Sequence, residues 1–102
     1  MSLLRHVVLF KWKDGAPPAT VRAIEEAFRA LPGKIAEIAD FEWGTNVSPE
    51  GLAQGFTHCF LVTFRDAKAR DAYLPHPAHR DFVALLEPSL EKALVVDYVA
   101  ND

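Results

Sequence analysis

Cysteine is almost missing from this chain: Cys59 is the only one, so no intramolecular disulfide can form, which fits a reducing compartment. Basic runs are missing too. The 11 Lys and Arg are scattered among 14 Asp and Glu, for a formal net charge of −3. Nothing here neutralises a row of phosphates, so nucleic acid is not an expected partner. Long apolar runs are also lacking. Ala93 to Val96 falls far short of the ~20 residues that span a bilayer, and no other run does better, so no membrane partner is expected. Residues Met1 to His6 lack the basic segment, long apolar stretch and small-residue cleavage site of a signal peptide, and the expected location is the cytoplasm.

Several site signatures are absent as well. There is no glycine-rich phosphate loop, no Gly-x-Ser-x-Gly elbow, no His-Glu-x-x-His and no Cys-x-x-Cys. Neither a metal nor a cofactor is therefore expected. What remains is ordinary globular composition, with 50% hydrophobic and 25% charged residues in 102. That length allows one domain, residues 1–102, whose single core is marginal by size. Burying a further face against a partner would help.

The hydrophobic pattern predicts the elements. Arg5 to Trp12 reads as a strand that is apolar on both sides, with His6, Val8, Phe10 and Trp12 on one face and Val7 and Leu9 on the other. One face can meet this domain's helices, but the other needs a cover that so short a chain can hardly supply. Pro17-Pro18 suits a helix start, and Val21, Ile24, Phe28 and Leu31 recur at helical spacing, with Arg22, Glu25, Glu26 and Arg29 outward. Pro32-Gly33 ends that helix, and a short helical segment over 34–39 leads to a second strand, Phe41 to Val47. After a loop over 48–55, Phe56 to Arg65 is the third strand, with His58 and Phe60 on one face and Cys59 and Leu61 on the other. Asp66 can cap a helix to about Leu74, Pro77 opens another, and Ala93 to Val99 is the last strand. The order βαββαβ, its second helix split at Pro75-His76-Pro77, predicts an α+β, ferredoxin-like protomer with a four-stranded antiparallel sheet.

Four histidines are the candidate chemistry. His6 and His58 lie on the aromatic faces of strands that this fold makes neighbours, so they are expected close together, with His79 approaching from the helical layer. One neutral imidazole with an orienting partner is enough for general acid–base work. Tyr73, six residues before His79, can hydrogen-bond to it across the break, and Asp97 is the acidic group best placed to orient a histidine. The plainer alternatives are that each histidine is satisfied by a backbone carbonyl and that Asp97 is a solvated strand-end carboxylate. Trp12 and Trp43 read as core or interface.

Certain segments together resemble one family. They are His6-Val7-Val8-Leu9-Phe10-Lys11 with Asp14, Phe41-Glu42-Trp43-Gly44, Gln54-Gly55-Phe56-Thr57-His58, His76-Pro77-Ala78-His79 and Asp97-Tyr98. Over essentially its whole length the chain resembles the stress-responsive A/B barrel (Dabb) domain, a branch of the dimeric α/β-barrel superfamily. The resemblance implies a homodimer in which two sheets close a barrel, supplying the cover that Val7, Leu9, Cys59 and Leu61 lack. The family includes plant polyketide cyclases that close olivetolic acid without metal or cofactor. By that resemblance His79 and Tyr73 match the catalytic pair, His6 and His58 match pocket histidines, and Val8, Phe10 and Phe60 match pocket walls. Three substrate-binding positions depart from the cyclases: Phe28 replaces a tyrosine, Glu25 a phenylalanine and Leu90 a tryptophan. Some plant members bind magnesium through backbone carbonyls after the first helix, where Pro32 falls here, so no metal is expected.

The expected function is a cofactor-free acid–base enzyme, a cyclase or isomerase, with a small apolar pocket for a carbonyl or polyketide-like compound. The alternatives are a non-catalytic small-molecule-binding or stress-protective dimer, and a purely structural one.

Overall fold

A computed structural model describes residues 2–101. The elements are β1 (Leu4–Trp12), α1 (Pro18–Arg29), β2 (Ile38–Thr45), β3 (His58–Phe64), α2 (Ala67–Tyr73), α3 (Pro77–Leu86) and β4 (Leu90–Val99). The sheet order is β2-β3-β1-β4, antiparallel throughout, which is the ferredoxin-like arrangement with β1 and β3 at the centre. Among the described residues, no helix is long and apolar enough to cross a membrane.

Turn chemistry sets most boundaries. Asp66 accepts a hydrogen bond from the Ala69 amide at 2.9 Å and starts α2. His76 does the same for α3, its Nδ1 accepting from the Ala78 amide at 3.0 Å, with Pro77 in the first turn. Several boundaries differ from expectation, among them both ends of the second strand, expected over Phe41 to Val47 and found at Ile38–Thr45. The segment over 34–39 is not helical: the helical turn comes earlier, at Leu31–Gly33, where Pro32 fits a first turn, and buried Ile35 then pins the chain before β2 begins at Ile38. β3 starts at His58 rather than Phe56, because the Phe56 amide is spent on the Ala53 carbonyl in a turn. β4 starts at Leu90, since Trp12 pairs with Leu90 beyond a register shift at Lys11/Trp12.

β1 alternates as a strand between two layers should. Leu4, His6, Val8 and Phe10 are buried beneath the helices, while Arg5, Val7 and Leu9 are only half-covered on the other face. The core is aromatic and lies between sheet and helices: Phe28 of α1 stacks on Phe60 of β3 at 4.4 Å and meets Phe82 of α3 at 4.5 Å. The opposite sheet face is open and apolar, with Leu94, Val96 and Tyr98 exposed on β4. The helices stop short of β4 even on their own side, where Val95 and Val99 remain 51% and 55% exposed.

Phe60 is fully buried and stacked, so Phe60→Ala is expected to cost about 3–5 kcal/mol by leaving a cavity. Urea denaturation of the variant checks this, and a loss under about 1 kcal/mol would mean that the core is not built around this ring.

Candidate functional site

The four histidines do not converge. β1 and β3 are antiparallel neighbours, and each carries its histidine near its own N-terminal end, so the two residues face opposite ends of the sheet. His6 pairs with Val62 and His58 pairs with Phe10. Four residues of strand, roughly 13 Å, separate the two rows. The expected closeness of His6 and His58 is therefore corrected by the strand direction itself.

At one end, the buried His6 ring donates through Nδ1–H to Asp97 Oδ1 at 2.6 Å, because an ionised carboxylate can only accept. The other Asp97 oxygen accepts from Arg70 Nη1 at 3.1 Å, so α2, β1 and β4 meet in a chain of Arg70, Asp97 and His6. His6 packs edge-on against Tyr73 at 5.8 Å, and Tyr73 lies against His79 at 4.4 Å between ring centres. This end thus gathers His6, Tyr73, His79 and Asp97. Arg70 was not anticipated, although its place three residues before Tyr73 on one helix face was a usable signal.

The Tyr73–His79 hydrogen bond expected from the sequence is not formed. His79 Nδ1–H donates instead to the Leu74 carbonyl at 2.9 Å, leaving Nε2 as the lone-pair nitrogen. The Tyr73 hydroxyl is buried with no hydrogen-bond partner. An unmade bond of this kind costs roughly 1–3 kcal/mol, and only a few are found per hundred residues, so it calls for an explanation. Burial pushes the Tyr73 pKa upward, so the hydroxyl stays a donor near neutral pH. His79 is shifted down: burial disfavours its charge, His6 and His76 oppose it further, and the Leu74 carbonyl only partly compensates.

At the other end, His58 is fully engaged. Trp12 Nε1–H can only donate, so His58 Nδ1 must accept, at 3.2 Å, and the Thr57 hydroxyl shares that nitrogen at 2.8 Å. Nε2 then carries the proton and donates to Glu25 Oε2 at 2.6 Å. Trp43 stacks on the ring at 5.9 Å. Glu25 is therefore turned inward rather than outward, as its spacing of four from Val21 and three from Phe28 would have indicated. His76 diverges from His79 because it caps α3.

The expected pocket-wall residues Val8, Phe10, Phe28 and Phe60 are all packed into the core, and Leu90 is half-buried against it. A concavity of ≈ 660 Å³ lies instead on the open sheet face, lined in part by Val7, Leu9, Leu61, Leu94 and Tyr98. Among the described residues, no group of three His, Cys, Asp or Glu side chains is placed to hold a metal ion.

Residues 4–100 match the stress-responsive A/B barrel domain, Dabb. The chain belongs to this family. It is 39% identical over 95 residues to the stress-response A/B barrel domain-containing protein HS1 of Arabidopsis thaliana, covering 93% of this chain and 87% of that one. It is 30% identical over 95 residues to olivetolic acid cyclase of Cannabis sativa, covering 93% and 94%. Among solved structures, the hydroxynitrile lyase of Passiflora edulis superposes with a TM-score of 0.91 at 26% identity, over 98% of this chain and 94% of that one. A dimeric ferredoxin-like protein of unknown function from Thermobifida fusca gives 0.81 at 28%, over 97% and 92%. The proteins it is similar to thus include two named as enzymes and one described as dimeric.

The lowered pKa of His79 has a thermodynamic sign. The unfolded chain takes up this proton at higher pH than the folded one, so stability falls as pH drops below the ordinary imidazole value of about 6.5. The urea midpoint is expected to drop between about pH 7.5 and 5.5, and to drop less in His79→Gln. An identical drop in both proteins would show that His79 carries none of it.

Proposed function

We propose that this Dabb protein is a cofactor-free acid–base enzyme acting on a small carbonyl compound, with His79 and Tyr73 as its reacting groups. The observation that carries the reading is the orphaned Tyr73 hydroxyl, buried beside a histidine whose Nε2 is left unprotonated by the Leu74 carbonyl. A substrate oxygen that accepted from Tyr73 would recover the bond this hydroxyl lacks. His79 Nε2 would remove a proton next to the carbonyl, and the negative charge gathering on that oxygen would be met by the Tyr73 O–H. His6, tied to Asp97 and through it to Arg70, would hold the third side of the site. Relatives named as a cyclase and a hydroxynitrile lyase are consistent with a scaffold suited to such chemistry. A second reading, a dimer that binds a small molecule without changing it, draws on the close fit of the His79 ring over Tyr73 and the full engagement of His58.

The same proposal makes the protein a homodimer whose second sheet covers Val7, Leu9, Cys59 and Leu61. Exposed Leu94, Val96 and Tyr98 on that face support it, as do solved relatives described as dimeric. The exposed Cys59 thiol suits a reducing cytoplasm.

Product analysis on enolisable carbonyl compounds tests the catalytic reading. His79→Ala is expected to lower turnover roughly 10²–10⁴-fold with the fold intact, and wild-type activity should decline on the acid side as His79 gains its proton. Tyr73→Phe should lose less activity while keeping or gaining up to about 1 kcal/mol of stability, since it deletes an unsatisfied group. Ligands returned unchanged across a broad set would favour the binder. For the assembly, light scattering at micromolar concentration should give a dimer burying more than ~1,200 Å². A folded monomer there would remove that part of the proposal.

A further inference from the structure

Thr57 stands just ahead of β3, exposed, while the histidine that follows it is buried. Its backbone is fastened on both sides: the amide donates to the Phe10 carbonyl at 3.0 Å, and the carbonyl accepts from the Asn46 amide at 2.8 Å. The hydroxyl is therefore carried on a fixed base at the end of the sheet, not on a free loop.

Proton direction in this cluster follows from the groups at its two ends. Trp12 Nε1–H can only donate, so His58 Nδ1 carries no proton, and the Thr57 hydroxyl at 2.8 Å can only donate to it as well. His58 Nε2–H donates to the Glu25 carboxylate at 2.6 Å, in a pair whose side chains are 8% and 19% exposed. Hydroxyl, imidazole and carboxylate thus stand in the order of a nucleophile, its base and the group that orients the base. Trp43 lies flat against the imidazole and fixes the plane of the ring. The three residues sit at the opposite end of the sheet from His6, Tyr73 and His79. Thr57 also lines the ≈ 660 Å³ concavity, beside Leu52, Ala53 and Phe56, and is not among the side chains assigned to the second protomer's cover. An apolar wall there suits an uncharged molecule with a short acyl chain.

The geometry points to a hydrolytic site, separate from the one at His79, in which Thr57, His58 and Glu25 cleave short-chain carboxylic esters through an acyl-threonine. Thr57 Oγ1 bonds to the ester carbonyl carbon, its proton passes to His58 Nδ1, and the carbonyl π pair moves onto oxygen. Glu25 faces the imidazolium so formed. Once protonated, Nδ1 no longer accepts from Trp12, and the freed indole N–H becomes a donor for the new oxyanion. The carbonyl re-forms as the C–O bond to the alcohol breaks, and the departing oxygen takes the proton from Nδ1. Water then adds to the acyl group with His58 again as base, releasing the carboxylic acid and restoring Thr57. Thr57 and His58 are catalytic residues in this scheme, and Glu25 is a positioning residue.

Hydrolysis of p-nitrophenyl butyrate by the full-length protein tests the site. Acid-quenched wild type should carry a butyryl group on Thr57, found by peptide mass spectrometry. Thr57→Val keeps the shape without the hydroxyl and should lower the rate roughly 100-fold or more, whereas Thr57→Ser should retain it. Glu25→Gln should lower kcat about tenfold or more with KM changed less than about twofold, a split that a merely structural role would not produce. Labelling of the wild type by a fluorophosphonate needs no variant to fold: phosphorus should attach to Thr57 Oγ1 as fluoride leaves. Hydrolysis by Thr57→Val at the wild-type rate overturns the inference, and so does a label found on another residue or on none.

Discussion

The registration of β1 between β3 and β4 is the constraint on which the rest depends. It is hydrogen-bonded on both sides over nearly its whole length, so its side chains have no freedom to slip. A shift of one residue would turn His6, Val8 and Phe10 out of the core and put Val7 and Leu9 in. The same register sets Asp97 opposite His6, which makes the 2.6 Å contact possible, and sets His58 opposite Phe10, far from it. Two chemically distinct ends of one sheet follow from a single pairing.

Each end resolves its buried polar groups in a different way. At the His58 end every ring nitrogen is matched, by Trp12, Thr57 and Glu25, and the result is a pin between α1 and the sheet. At the His6 end the matching is incomplete: Arg70, Asp97 and His6 satisfy one another, whereas the Tyr73 hydroxyl is left over. Stability alone would select phenylalanine at that position. Unsatisfied groups and strained choices in otherwise consistent folds tend to mark places where something other than stability is being served.

Much of this was legible in the residues, because alternation and punctuation are local. The two-faced pattern of β1, the prolines opening α1 and α3, and the Asp66 cap all act within a few positions of themselves. Relations between distant segments were harder to read. That His6 and His58 each sit at a strand's N-terminal end was visible, and antiparallel pairing should have separated them. Glu25 was assigned outward as a charged helix residue, but its partner, 33 positions away, could be known only once α1 lay over β3. The Tyr73–His79 bond failed because the chain break at Pro75 supplied a nearer acceptor, the Leu74 carbonyl. Helicity over 34–39 failed because Pro32 sits in a helical turn at Leu31–Gly33, which begins three residues before the expected segment.

The placement of the two tryptophans has an optical consequence. Trp12 donates its indole N–H to His58, and Trp43 lies flat against the same imidazole, so both of the chain's indoles sit at one end of the sheet. Intrinsic emission from this protein is therefore a local gauge: it watches the Glu25–His58 pin and the start of β3. The other end, with His6, Tyr73 and His79, has no indole of its own. An event confined there would pass in spectral silence unless the aromatic layer between the two ends carried it across.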